Sequence, residues 1–94
     1  MKEEKSFEEY KQAAEQGDAN AQYRLAECYA YGDGTDEDEE KAFEWYKKSA
    51  EQGNAEAQYV LSRIYRCGFC FKYFNIDKSN RWYKKAVKNG WLES

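Results

Sequence analysis

Apolar and small residues recur along this chain at spacings of three and four, the pattern of helices buried along one face. Phe7, Tyr10, Ala13 and Ala14 form the first stripe and predict a helix over 6–16. Ser6 is placed to cap it, Glu8 and Glu9 fall in its first turn, and Gly17 suits the left-handed position that ends a helix. Ala21, Leu25, Ala26 and Tyr29 predict a second helix over 19–31, capped by Asp18 and broken by Gly32-Asp33-Gly34. A third is expected to begin in the acidic run Thr35-Asp36-Glu37-Asp38-Glu39-Glu40 and to reach about Gln52, burying Ala42, Phe43, Trp45, Tyr46 and Ala50. The fourth, over 55–66 after Asn54, turns Ala57, Leu61, Ile64 and Tyr65 inward, and Gly68 ends it. The fifth, over 77–88, turns Trp82, Tyr83, Ala86 and Val87 inward, with Trp91 and Leu92 folding over its exposed end.

These stripes are copies of one another. Ala13-Ala14-Glu15-Gln16-Gly17-Asp18-Ala19-Asn20-Ala21-Gln22-Tyr23 returns 36 residues later as Ser49-Ala50-Glu51-Gln52-Gly53-Asn54-Ala55-Glu56-Ala57-Gln58-Tyr59. Trp45-Tyr46-Lys47-Lys48 returns as Trp82-Tyr83-Lys84-Lys85 at an offset of 37, so one residue has entered the second loop. A period of this size is the signature of a solenoid, in which each unit buries its apolar face on its neighbour. The single domain, 1–94, divides into a lone helix over 6–16, repeats over 18–52 and 54–89, and a tail over 90–94.

Composition refines the picture. Aromatic residues make up 18% of the chain while Leu, Ile and Val are scarce, which predicts aromatic plates packed over Ala and Gly. No apolar run approaches the ~20 residues that span a bilayer, and Met1-Lys2-Glu3-Glu4-Lys5 leads into no signal-peptide core, so a cytoplasmic protein is expected. Three cysteines, an odd number, read as free thiols in a reducing compartment. Residues 1–56 carry 16 acidic and 7 basic side chains (−9), and residues 57–94 carry 2 and 8 (+6), summing to the net charge of −3. Such a division can steer a partner or pair two copies through opposite ends.

Ala14-Glu15-Gln16-Gly17-Asp18-Ala19-Asn20-Ala21-Gln22, then Leu25, Tyr29, Gly32-Asp33-Gly34, Asp38, Lys41-Ala42 and Trp45-Tyr46-Lys47-Lys48, resemble the Sel1-like repeat, a longer relative of the tetratricopeptide repeat. The resemblance implies an all-α fold, a right-handed α/α superhelix of antiparallel helix pairs. It also implies a protein–protein interaction module, an adaptor or scaffold. Cysteine-rich bacterial members staple each repeat with cysteines seven residues apart. Ala50 and Ala57 stand at those positions here, so secretion and penicillin-binding activity do not carry over.

The second loop departs from its own repeat. Gly68-Phe69-Cys70-Phe71-Lys72-Tyr73-Phe74-Asn75-Ile76 replaces an acidic turn with an aromatic, cationic one. Two readings stand open: an exposed cluster that marks an interaction site, or rings tucked under the last helix where Ser79 and Asn80 replace Ala42 and Phe43. Both hold together if Phe71 or Ile76 is buried and Phe69 or Tyr73 exposed.

Chemistry is sparse. Cys67-Gly68-Phe69-Cys70 straddles a helix C-terminus, where no dipole activates a thiol, and three cysteines without a histidine cannot complete a zinc site. The acidic run lacks the spacing of a calcium loop. With no histidine, no nucleophile–base pair and no phosphate loop, neither an enzyme nor a cofactor is expected. Arg81, Lys84, Lys85 and Lys88 share one helix face and read as solvated, and the negative net charge argues against nucleic acid as a partner.

Binding is therefore expected in a groove lined by the first helix of each pair. Asn20, Arg24, Glu27 and Tyr31 lie off the buried stripe, with Glu56, Val60, Arg63 and Cys67 as their counterparts and Phe69 and Tyr73 extending one end. Its occupant is a segment of another protein, bound by an adaptor or blocked by a dedicated inhibitor or immunity-type protein. A homodimer through the C-terminal aromatic end would relieve the shortfall of a two-repeat stack, and a longer array of which this is a fragment would do the same.

Overall fold

Helices in this chain begin where a short polar side chain can hold the free N–H groups of a first turn. The computed structural model describes residues 6–67 and 73–91, and five such helices are found there, with no strand. They are α1 (Phe7–Glu15), α2 (Ala19–Tyr31), α3 (Glu39–Glu51), α4 (Ala55–Cys67) and α5 (Ile76–Lys88). Ser6 and Glu9 form a reciprocal capping box at α1, Glu9 N–H donating to Ser6 Oγ at 3.3 Å and Ser6 N–H to Glu9 Oε1 at 2.9 Å. Asp18, Asp38, Asn54 and Asn75 each accept from the N–H three residues on, at 2.7–3.1 Å. Each helix packs against the next in the chain, producing an all-α helical repeat solenoid of 37 × 28 × 26 Å.

The core is built on alanine. Ala14, Ala26, Ala42, Ala50, Ala57 and Ala86 are at most 1% exposed and let the helices approach closely, with Leu25 and Leu61 as the largest fully buried side chains. Tyr29, Tyr46 and Tyr65 add aromatic mass to the buried core, while Phe7, Phe43, Trp45 and Trp82 pack against it only partly buried. The expected aromatic plates over Ala and Gly thus divide into three buried tyrosines and a partly buried rim of Phe and Trp. Phe7 meets Tyr29 edge-on at 5.5 Å and 87°, and Phe43 meets Tyr65 at 5.8 Å and 89°, the same contact one repeat later.

Polar groups stitch the repeats at their junctions. Gln22 Nε2 donates to the Ala14 carbonyl at 3.1 Å and Gln58 Nε2 to the Ala50 carbonyl at 2.9 Å, each reaching back to the end of the preceding helix. The carbonyl oxygens of these amides accept in turn, Gln22 Oε1 from Gln52 Nε2 and Gln58 Oε1 from Asn89 Nδ2, both at 3.0 Å. Ser49 Oγ donates to the Ala19 carbonyl at 2.7 Å and Ser79 Oγ to that of Ser62 at 2.8 Å.

Several elements differ from the sequence reading. The third helix begins inside the acidic run, but only at its end: Asp38 caps it, Glu39 and Glu40 enter its first turn, and Asp36 and Glu37 stay in the loop. The fifth begins at Ile76, one residue earlier than expected, under an Asn75 cap. Its buried positions are Ser79 and Ala86, whereas Val87, expected inward, is 48% exposed. Val87 corresponds to Ala50, which α4 covers; no described helix follows α5 to cover Val87 in the same way.

Both loops close at the same point, Asp38 N–H donating to the Tyr29 carbonyl at 2.9 Å and Asn75 N–H to that of Tyr65 at 2.7 Å, despite the added residue. The combined reading of the second loop is reversed where it can be seen. Tyr73 is partly buried, stacked on Phe43 at 4.2 Å and 17°, while Ile76 is 45% exposed. Ile76 occupies the register of the outward-facing Glu39, and Tyr73 buries its ring on the face that Phe43 leaves open. Gly68, Phe69, Cys70, Phe71 and Leu92 lie outside the described residues. Trp91 turns back, its backbone N–H donating to the Ala86 carbonyl of α5 at 2.9 Å, and its ring stacks on Tyr59 of α4 at 4.3 Å and 14°.

Candidate protein-binding groove

Helices α2 and α4 occupy equivalent places in successive repeats, so residues off their buried stripes face a common channel. Tyr23, Glu27, Ala30 and Tyr31 come from α2, Val60, Arg63, Ile64 and Cys67 from α4, and Tyr46 of α3 closes the floor. The cavity measures about 310 Å³. Its walls combine aliphatic surface at Val60 and Ile64 with three phenol rings, one carboxylate and one guanidinium. Tyr31, 75% exposed, stands at the rim, and Cys67 is an exposed free thiol.

Electrostatics centre on Glu27. Arg24 Nη1 donates to Glu27 Oε1 at 3.0 Å in an ion pair whose carboxylate side chain is 28% exposed. Burial, then the charge and hydrogen bonding of Glu27, holds the Tyr23 phenol well above its ordinary range. Burial, then Glu27 again, does the same to Tyr46. Both phenols are therefore neutral hydrogen-bonding groups throughout the physiological range. Arg63 lies 5.9 Å from the centroid of the Tyr59 ring, its guanidinium directed over that face.

Of the ten residues singled out from the sequence, the cavity gathers Glu27, Tyr31, Val60, Arg63 and Cys67. Arg24 borders a smaller hollow of about 140 Å³ with Tyr10, Glu27, Cys28, Tyr31 and Asp33. Asn20 accepts from Asn54 Nδ2 at 2.9 Å, tying together the starts of α2 and α4. Glu56 is exposed in the first turn of α4 and lines neither hollow. Tyr73 is not among the residues that line this cavity; its ring stacks on Phe43 at the edge of the core. Phe69 lies outside the described residues. Tyr23, Ala30, Tyr46 and Ile64 are lining residues that the sequence reading left out. They belong to buried or half-buried stripes, and their one signal is that a ring can pack on the core and still show an edge. Among the described residues no group of three or more Cys, Asp or Glu is placed to hold a metal ion, and no helix is long and apolar enough to cross a membrane.

The Sel1 repeat family model matches residues 3–18, 19–54 and 55–91. The chain belongs to the Sel1 repeat family. Solved structures agree in fold. A Sel1 repeat protein from Oxalobacter formigenes is 42% identical, with a TM-score of 0.81 over 85% of this chain and 32% of its own. A protective antigen present in uropathogenic Escherichia coli strains, displaying the SLR fold, is 39% identical with a TM-score of 0.77 over 86% of this chain and 17% of its own. This chain thus spans under a third of the length of either. No curated protein matches it. Sel1 repeats are in general protein-interaction modules rather than enzymes.

Proposed function

We propose that this Sel1-repeat domain is a non-enzymatic adaptor that holds a short segment of a partner protein in the groove between α2 and α4. The observation that carries the reading is the convergence of two equivalent helices on one channel of about 310 Å³ with a mixed lining. Val60 and Ile64 offer a desolvated apolar contact, the phenols of Tyr23, Tyr31 and Tyr46 are neutral hydrogen-bonding groups, and Glu27 and Arg63 read charge of either sign. Aromatic and arginine side chains of this kind dominate binding energy at protein interfaces.

The test is capture of partners from the native cells by the parent domain and by Val60→Glu/Arg63→Glu, with Lys48→Glu as a charge reversal outside the groove. Partners retained by the parent and by Lys48→Glu but lost from the groove variant are expected, a loss of at least about tenfold in affinity once a partner is purified. Equal retention by all three proteins would place binding elsewhere. A single stoichiometric partner held through dissociation times of hours would instead mark a dedicated inhibitor.

A further inference from the structure

The two repeats are internal controls for one another, and the outer face of their second helices has diverged in charge. On α3 that face carries Lys41, Glu44, Lys48 and Glu51; the corresponding residues of α5, 37 positions on, are Lys78, Arg81, Lys85 and Lys88. Two cations are kept and two carboxylates have become cations. Where α3 borders a shallow hollow with Glu44, Lys47, Lys48 and Glu51, the charges balance. The cleft formed with α5, about 230 Å³, is lined by Lys47, Tyr65, Lys78, Arg81, Trp82 and Lys85, with no carboxylate among them. Among the described residues the ion pair found is Arg24 with Glu27, which involves none of these four cations.

The aromatic walls fix where the charges sit. Lys85 Nζ lies 5.1 Å from the Trp82 ring centroid and Lys78 Nζ 5.5 Å from that of Tyr65, so two ammonium groups rest on ring faces at the cleft rim. We infer that this cleft is a second binding site, specific for an acidic protein segment, a run of Glu or Asp side chains. A lysine ammonium lies over each ring, so a base that stacked there would have to displace it, and stacking is the contact that single-stranded nucleic acid relies on. Residues 1–56, at −9, lie within the same 37 Å molecule and repel a long phosphate backbone, whereas a short carboxylate run can be confined to the cationic end. The site shares no lining residue with the groove between α2 and α4.

The probe is a fluorescein-labelled peptide of alternating Glu and Ser, with a Gln and Ser counterpart, read by anisotropy at low ionic strength. The Glu peptide is expected to bind at least about tenfold more tightly than the Gln peptide, and to weaken steeply as salt shortens the screening length below about 10 Å. Arg81→Glu/Lys85→Glu should lose that binding while Lys48→Glu keeps it, circular dichroism confirming the fold of each. If the double charge reversal unfolds the domain, Arg81→Gln/Lys85→Gln makes the same comparison. Equal affinity for the Gln peptide, undiminished binding by the Arg81 and Lys85 variants, or tighter binding of a single-stranded oligothymidylate would each overturn the assignment.

Discussion

Gln22 and Gln58 perform one task twice. Each is about as buried as the apolar core, at 5% and 3% exposure, and each spends its amide on a helix-end carbonyl that would otherwise be stranded. Replacing Gln58 with Leu keeps the volume roughly constant but leaves the Ala50 carbonyl and the Asn89 amide without these partners. The expected cost is about 1–3 kcal/mol. Thermal unfolding followed by circular dichroism should show the midpoint falling by roughly 4–8 °C per kcal/mol in a domain of this size. A midpoint within about 2 °C of the parent would mean that water replaces both bonds. The identity of Gln22 and Gln58 across the repeat was visible in the sequence, but periodicity ranks glutamine as polar and outward. Its burial depends on the carbonyls left open by the preceding helix.

At the scale of elements, the loops show what spacing cannot. Gly34 holds φ at +81°, and a Cβ built there would lie 2.8 Å from Cβ of Phe7, so the first loop closes directly onto that side chain. Gly53 holds φ at +99° with nothing within 4 Å of its position. Gly34→Ala should therefore cost more than Gly53→Ala: both incur about 1–2 kcal/mol of left-handed strain, and Gly34 adds roughly 1–3 kcal/mol of overpacking. Urea denaturation of the two variants measures the difference, and equal losses would show that Phe7 moves aside freely. In the second repeat the counterpart of Phe7 is Phe43, and Tyr73 covers it with a stacked ring. Helix positions and the caps Ser6, Asp18 and Asn54 were legible because they follow from residues three and four apart, whereas Asp38 and Asn75 were not read as caps. The roles of Tyr73 and Ile76 were not legible, because they depend on which ring face the tertiary packing leaves uncovered.

For the molecule as a whole, three phenols tie stability to alkaline pH. Burial first, then nearby carboxylates, raises Tyr23, Tyr46 and Tyr65 above the ordinary value of 10.0, with Glu51 as the second cause at Tyr65. Below 10.0 their contribution is fully present; above it the unfolded chain ionises first, the folded state holds more protons, and stability falls until the raised folded values are passed. The urea midpoint should accordingly drop as pH climbs above 10.0, and Tyr46→Phe should flatten that drop. An unchanged slope in Tyr46→Phe would exclude this phenol as a source. The groove was half legible for a related reason: Glu27, Val60 and Arg63 follow from register on α2 and α4, but Tyr46 enters from α3, and no pattern within one helix announces a floor supplied by another. Trp91 gives that groove a further property. Its indole lies flat on Tyr59 at 4.3 Å, and Arg63, a groove residue, directs its guanidinium over the same tyrosine at 5.9 Å. An occupant that draws Arg63 away changes the surroundings of a ring in contact with a natural fluorophore, so the domain carries its own optical gauge of whether the channel is filled.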